Sequence, residues 1–184
     1  MMRALGWCKW EQEDITGAVK WLYKAVKTGN TEAAHDLWEF FQTSQPFPDI
    51  QAPIGNNLAY MLRRGEVPPD IKLTAVAELL APGLKAQAPL ALINYALCLA
   101  KGFECQMDWE AADRIVATVK GTLPDFDWFC QLAQKGDAEG HLVIGWLARH
   151  KIIEDPDGYT VKKRMNLARQ GGWVIPAWMD KKTK

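Results

Sequence analysis

Apolar residues recur along this chain at the spacing of one α-helical face. Ala18, Trp21, Leu22, Ala25 and Val26 fall at i, i+3, i+4, i+7 and i+8, a stripe that predicts an amphipathic helix ending near Gly29. Thr31 is placed to cap a second helix that runs to about Phe41. Pro46, Pro48 and Pro53 then predict a long loop over residues 43–53. Leu58, Met61 and Leu62 resume the helical period up to Gly65, and a helix over about 70–80 follows Pro68-Pro69. Leu92, Tyr95, Ala96 and Leu99 mark the next, stopped by Gly102. Asp108 is placed to cap a helix from Trp109 to Val119, and Asp125 or Asp127 opens one that ends at Gly136. Segments from Ala138 to His150 and from about Tyr159 to Gln170 complete the series. No stretch sustains the period-two alternation of a strand, so the pattern predicts an all-α chain of eight to ten helices.

The pattern also repeats. Asn57 to Gly65 and Asn94 to Gly102 share the form N-x-A-x-x-L-x-[RK]-G, 37 residues apart. Gly6-Trp7 and Gly145-Trp146 occupy the matching small-residue position in two further copies, where a bulky side chain would hold a helix hairpin open. Lys-Gly-Asp-Ala-Glu at 135–139 restates Thr-Gly-Asn-Thr-Glu at 28–32. A repeated helix-turn-helix unit predicts an α-solenoid of antiparallel helix pairs over residues 1–184, irregular in spacing, with residues 171–184 as a C-terminal cap and tail.

Composition narrows the classes of function. Lys plus Arg and Asp plus Glu each number 22, so no global field attracts nucleic acid or an anionic membrane. The basic cluster Lys162-Lys163-Arg164 reads as a solvated helix face. No apolar run is long enough to span a bilayer, and the N-terminus acquires charge too early for a signal peptide. The four cysteines, at 8, 98, 105 and 130, have no CxxC spacing, which leaves free thiols in a reducing cytoplasm as the expectation. Nine tryptophans are many for this length; Trp7, Trp21 and Trp146 sit at helix-core positions and read as packing.

These residues resemble the SEL-one-like repeats, short relatives of the tetratricopeptide repeats. Ala4-Leu5-Gly6-Trp7 supplies the first part of that pattern. Ala18-Val-Lys-Trp21-Leu-Tyr23-Lys-Ala25-Val-Lys-Thr-Gly29 supplies the second, and Ala138 to Leu147 renews the first. The turn from Glu11 to Thr16 lacks the family's glycines, and the helix from Trp109 lacks its tryptophan, so the array is degenerate. The resemblance implies a non-catalytic scaffold that holds a protein partner. Bacterial relatives include adaptors, regulators and immunity proteins, and a short, irregular, cytoplasmic member suits an immunity protein that neutralises a cognate toxin by direct binding. An adaptor for an endogenous complex is the alternative, and a catalytic helical protein is a remote third.

No nucleotide-binding, hydrolase or metalloprotease signature occurs. His35, His141 and His150 lack metal-ligand company, as do Cys98 and Cys105. No metal, cofactor or membrane partner is therefore expected. The segments around Asp108-Trp109 and Asp125-Phe126-Asp127-Trp128 place indoles beside carboxylates at helix starts. One reading is that the aspartates cap helices and the rings pack inward. The other is a recognition edge for a basic protein surface. Glu154, Asp155 and Asp157 form a third acidic segment, although Asp157 is also placed to cap the last helix, and Phe47 in the proline loop is a further candidate contact.

Overall fold

The structure is a computed structural model, and it describes residues 1–184 except Pro46, Gly121, Thr122, Pro124, Asp125 and Lys184. The described residues are all-α, without a strand. The helices are α1 (Met2–Glu11), α2 (Ile15–Lys27), α3 (Thr31–Thr43), α4 (Pro48–Arg64), α5 (Val76–Lys85), α6 (Pro89–Lys101), α7 (Trp109–Ala117), α8 (Phe126–Gln134), α9 (Ala138–Arg149) and α10 (Val161–Gln170), followed by one 3-10 turn at Ala177–Asp180. None is long and apolar enough to cross a membrane among the described residues.

Local chemistry sets most of the helix starts. The side chains of Asp14, Asn30, Asp108, Asp137 and Thr160 each accept a backbone N–H of the first turn that follows, satisfying donors the helix itself leaves open. Asn30 rather than Thr31 caps α3, and Thr160 rather than Asp157 caps α10. Gly29 (φ +88°) and Gly65 (φ +68°) take the left-handed conformation expected at the ends of α2 and α4.

Two expectations are corrected. The loop at 43–53 is short, because helix α4 begins at Pro48 and continues through Pro53. Pro48 occupies the first turn, where a missing N–H costs nothing, and Pro53 follows early enough to lose a single ladder bond. The helix expected over 70–80 starts only at Val76. Residues 66–75 are instead tied down as a non-helical segment: Glu66 accepts from Tyr23 (3.0 Å) and Lys27 (2.8 Å), Asp70 pairs with His35 (2.9 Å), and Ile71 is buried.

The chain that reads as one repeat domain divides into two compact units, Met1–Tyr95 and Ala96–Lys184. In the first, α1 packs on α2, α2 on α3 and α4, α3 on α4, and α4 on α5, around Leu22, Leu37, Ile54, Leu58, Met61 and Leu79. In the second, α8 and α10 pack on α9 around Leu142, Ile144, Trp146, Leu147 and Met165. Both units contain helix pairs seated through a glycine. A Cβ on Gly6 would lie 2.6 Å from Leu22 Cγ across α1–α2, and one on Gly145 would lie 2.7 Å from Arg164 Cβ across α9–α10. The tail caps the second unit: Ile175 and Met179 are buried, and the Arg149 guanidinium donates to the carbonyls of Trp178 (3.1 Å) and Lys181.

Candidate protein-binding groove

On the first unit, α3, α4 and α5 enclose an open groove of about 690 Å³. Its walls follow from helical periodicity. Trp38, Phe41 and Gln42, with Gln45 just past the helix, stand at i, i+3, i+4 and i+7 along one wall. Glu78, Ala81, Pro82 and Lys85 repeat that spacing along α5. Pro48 and Gln51 of α4 and Thr74 complete the lining. Gly55 allows the three helices to meet beneath it: a Cβ there would collide with the Leu79 carbonyl oxygen and lie 2.7 Å from the Phe41 ring.

The aromatic part of the groove is ordered by stacking. The Trp38 and Phe41 rings lie 5.7 Å apart and within 13° of parallel. Phe41 is buried, whereas Trp38 is half-buried and its indole N–H has no acceptor among the described residues. Gln51 donates to the Phe41 carbonyl (3.3 Å), which joins α4 to α3. Gln42, Gln45, Glu78 and Lys85 are exposed, and their side chains have no partner among the described residues.

The structure places the described residues among the eight singled out from the sequence in different local settings. Asp108 is exposed, but its carboxylate caps α7, accepting from Ala111 N–H at 2.8 Å. Trp109 is a correction: it is only 8 % exposed, its ring packed 5.6 Å from Trp146 and 6.3 Å from Trp173, so it offers no docking edge. Its place on one face with Ala112 and Val116, at i, i+3 and i+7 along the inward side of α7, explains the burial. Asp125 lies outside the described residues. Asp127 is exposed in the first turn of α8, beside half-buried Trp128.

Asp155 is a second correction. Its two oxygens take Arg164 Nε (2.6 Å) and Nη2 (2.9 Å), and one of them also accepts the Asp157 and Tyr159 N–H groups. Burial works against its charge, but these donors outweigh it and hold the carboxyl below its ordinary range. Glu154 is exposed, and so is Phe47, at 58 %. Phe47 stands in sequence between Gln45 and Pro48, next to the groove lining.

No protein-family model, curated protein or solved structure matches this chain. The candidate site therefore rests on its own geometry. A smaller pocket of about 280 Å³ on the second unit is lined by Glu110, Asp113, Arg114 and Trp178. Its Asp113 is already engaged by Trp146 Nε1 (2.8 Å), His150 Nε2 (2.7 Å) and Arg149 Nε (3.3 Å). Burial opposes the Asp113 charge, yet His150, Trp146 and Arg149 together hold its carboxyl below the usual range. That network ties α7 to α9. Among the described residues, no group of three or more His, Cys, Asp or Glu is arranged to hold a metal ion.

Sequence reasoning missed Trp38, Gln42, Gln45, Gln51, Glu78 and Lys85. Two signals were present. Trp38 falls one residue off the buried stripe of Ala34, Leu37 and Phe41, and three glutamines surround the prolines at 46 and 48.

Proposed function

We propose that this chain is a non-catalytic protein-binding module built from SEL-one-like helix pairs. The observation that carries the reading is the groove on the first unit. Its half-buried Trp38 and its exposed Glu78 and Lys85 have no polar side-chain partner among the described residues, while Asp108, Trp109 and Asp155 of the second unit are spent on a cap and buried contacts. Its volume lies in the range of sites that accept a ligand or a peptide segment. The unpaired state of all four cysteines fits action in a reducing cytoplasm.

In its most specific form, the proposal is an immunity protein that neutralises a cognate bacterial toxin by one-to-one binding, as the family resemblance implies. An adaptor for an endogenous complex is the second reading, and the groove's opening to solvent supports it, because an open groove suits a segment of a partner chain. Co-expression with the product of the adjacent gene separates the two. An immunity protein restores growth to cells making that product and co-elutes with it at equal stoichiometry. Absence of rescue and of a complex would sink the immunity form.

A further inference from the structure

The groove has a definite polarity, and that polarity specifies an occupant. Glu78 and Lys85 stand two turns apart on one face of α5, about 10.5 Å along the axis. Neither has an ion-pair partner among the described residues. Between them the walls offer a flat indole with a free N–H, stacked on a second ring, and two exposed carboxamides.

Three kinds of peptide can lie in a groove: an added strand, an amphipathic helix or a polyproline-II segment. Strand addition needs a sheet edge, and the described residues form no sheet. An amphipathic helix presents mainly apolar side chains and keeps its backbone groups bonded internally. It would strip water from Gln42 and Gln45 without giving them acceptors. A polyproline-II segment carries its carbonyls unbonded and outward, and its rings are rigid apolar plates suited to an aromatic face. At about 3.1 Å per residue it spans the distance from Glu78 to Lys85 in roughly three residues.

We propose that this groove binds a proline-rich segment in the polyproline-II conformation, with a basic residue against Glu78 and an acidic residue about three positions away against Lys85. The proposal rests on the protein-binding reading above and adds the chemistry of the partner. Proline rings cover the half-buried Trp38 ring, which Phe41 backs from within, and the Trp38 indole N–H donates to a peptide carbonyl. The two charges fix both register and direction, so Arg-x-x-Glu and Glu-x-x-Arg segments lie in opposite senses along the groove.

The test uses the full chain and synthetic peptides. The probe is Pro-Pro-Arg-Pro-Pro-Glu-Pro-Pro, compared with the same peptide carrying alanine at every proline and with one in which Glu is replaced by Arg. Titrations are followed by the indole N–H resonances and by fluorescence anisotropy of labelled peptide. The expected result is saturable binding with a shift of the Trp38 indole resonance, and at least about tenfold weaker binding for the all-alanine peptide and for Trp38→Ala. Lys85→Glu, a fully surface change, should weaken the Arg/Glu probe severalfold and improve the Arg/Arg probe. Equal affinity for proline and alanine peptides, no shift at Trp38, or indifference to Lys85→Glu overturns the proposal. If the probes fail while a co-expressed protein still forms a stoichiometric complex, this inference falls and the protein-binding reading stands. If Trp38→Ala and Lys85→Glu also leave that complex intact, the groove has no part in it.

Discussion

Arg164 illustrates how one side chain can mislead at the level of sequence and organise the structure. Beside Lys162 and Lys163 it reads as solvent-facing, yet it is fully buried while its neighbours are exposed. The reason is periodicity: Val161, Arg164, Met165 and Ala168 fall on one face of α10, and that face packs on α9. The guanidinium reaches Asp155, Asp157 (2.6 Å) and His141 Nδ1 (3.0 Å), so the acidic segment serves as a counter-charge for it. Arg164→Ala strands Asp155, whose side chain is 6 % exposed, and should cost about 3–5 kcal/mol in urea denaturation. His141 responds to the same environment. Burial first, and the adjacent Arg164 charge second, push its pKa below the ordinary 6.5, against the attraction of Asp157, Asp137 and Asp155. Below that value the unfolded chain takes up a proton that the folded chain refuses. Stability is therefore lost as pH falls from about 6.5 and levels off once the folded pKa is passed. The urea midpoint of the native chain should drop between pH 7.5 and 5.5 by more than that of His141→Gln. Equal drops would show that His141 is not responsible.

Helix pairs depend on small residues where backbones approach. Gly145→Leu would drive a branched side chain into Arg164 Cβ and Met165 Cε (3.2 Å), and the α9–α10 pair must separate. Such overpacking costs about 1–3 kcal/mol, and thermal denaturation should show the loss. Asn30→Ala removes the α3 cap, for about 1 kcal/mol, without touching the core. Helical period and helix ends were legible because they are local, although the α3 cap was expected at Thr31 and lies at Asn30. The stripe from Ala18 to Val26 and the glycine stops depend on neighbours a few residues away, whereas Gly6 and Gly145 meet Leu22 and Arg164 on the next helix and were legible through the repeated motif. Proline was the least legible signal. A first-turn Pro48 and an early Pro53 are compatible with a helix, and only packing through Gly55 shows that one forms. The groove was hidden for another reason: each of its walls is an unremarkable helical face, and only tertiary placement sets them opposite one another.

The whole chain divides between sequence-contiguous halves, each with its own buried core. A perturbation confined to one core should therefore stay there. Hydrogen exchange on Gly6→Leu should speed the amides of α1 and α2 while those of α9 and α10 keep their protection, and Gly145→Leu should give the converse. Acceleration of both sets in either variant would mean that the halves open as one cooperative unit. The contiguity of the halves also bears on biosynthesis. Every residue of the first core precedes position 96, so a nascent polypeptide holds all of that core's partners before its second half has left the ribosome.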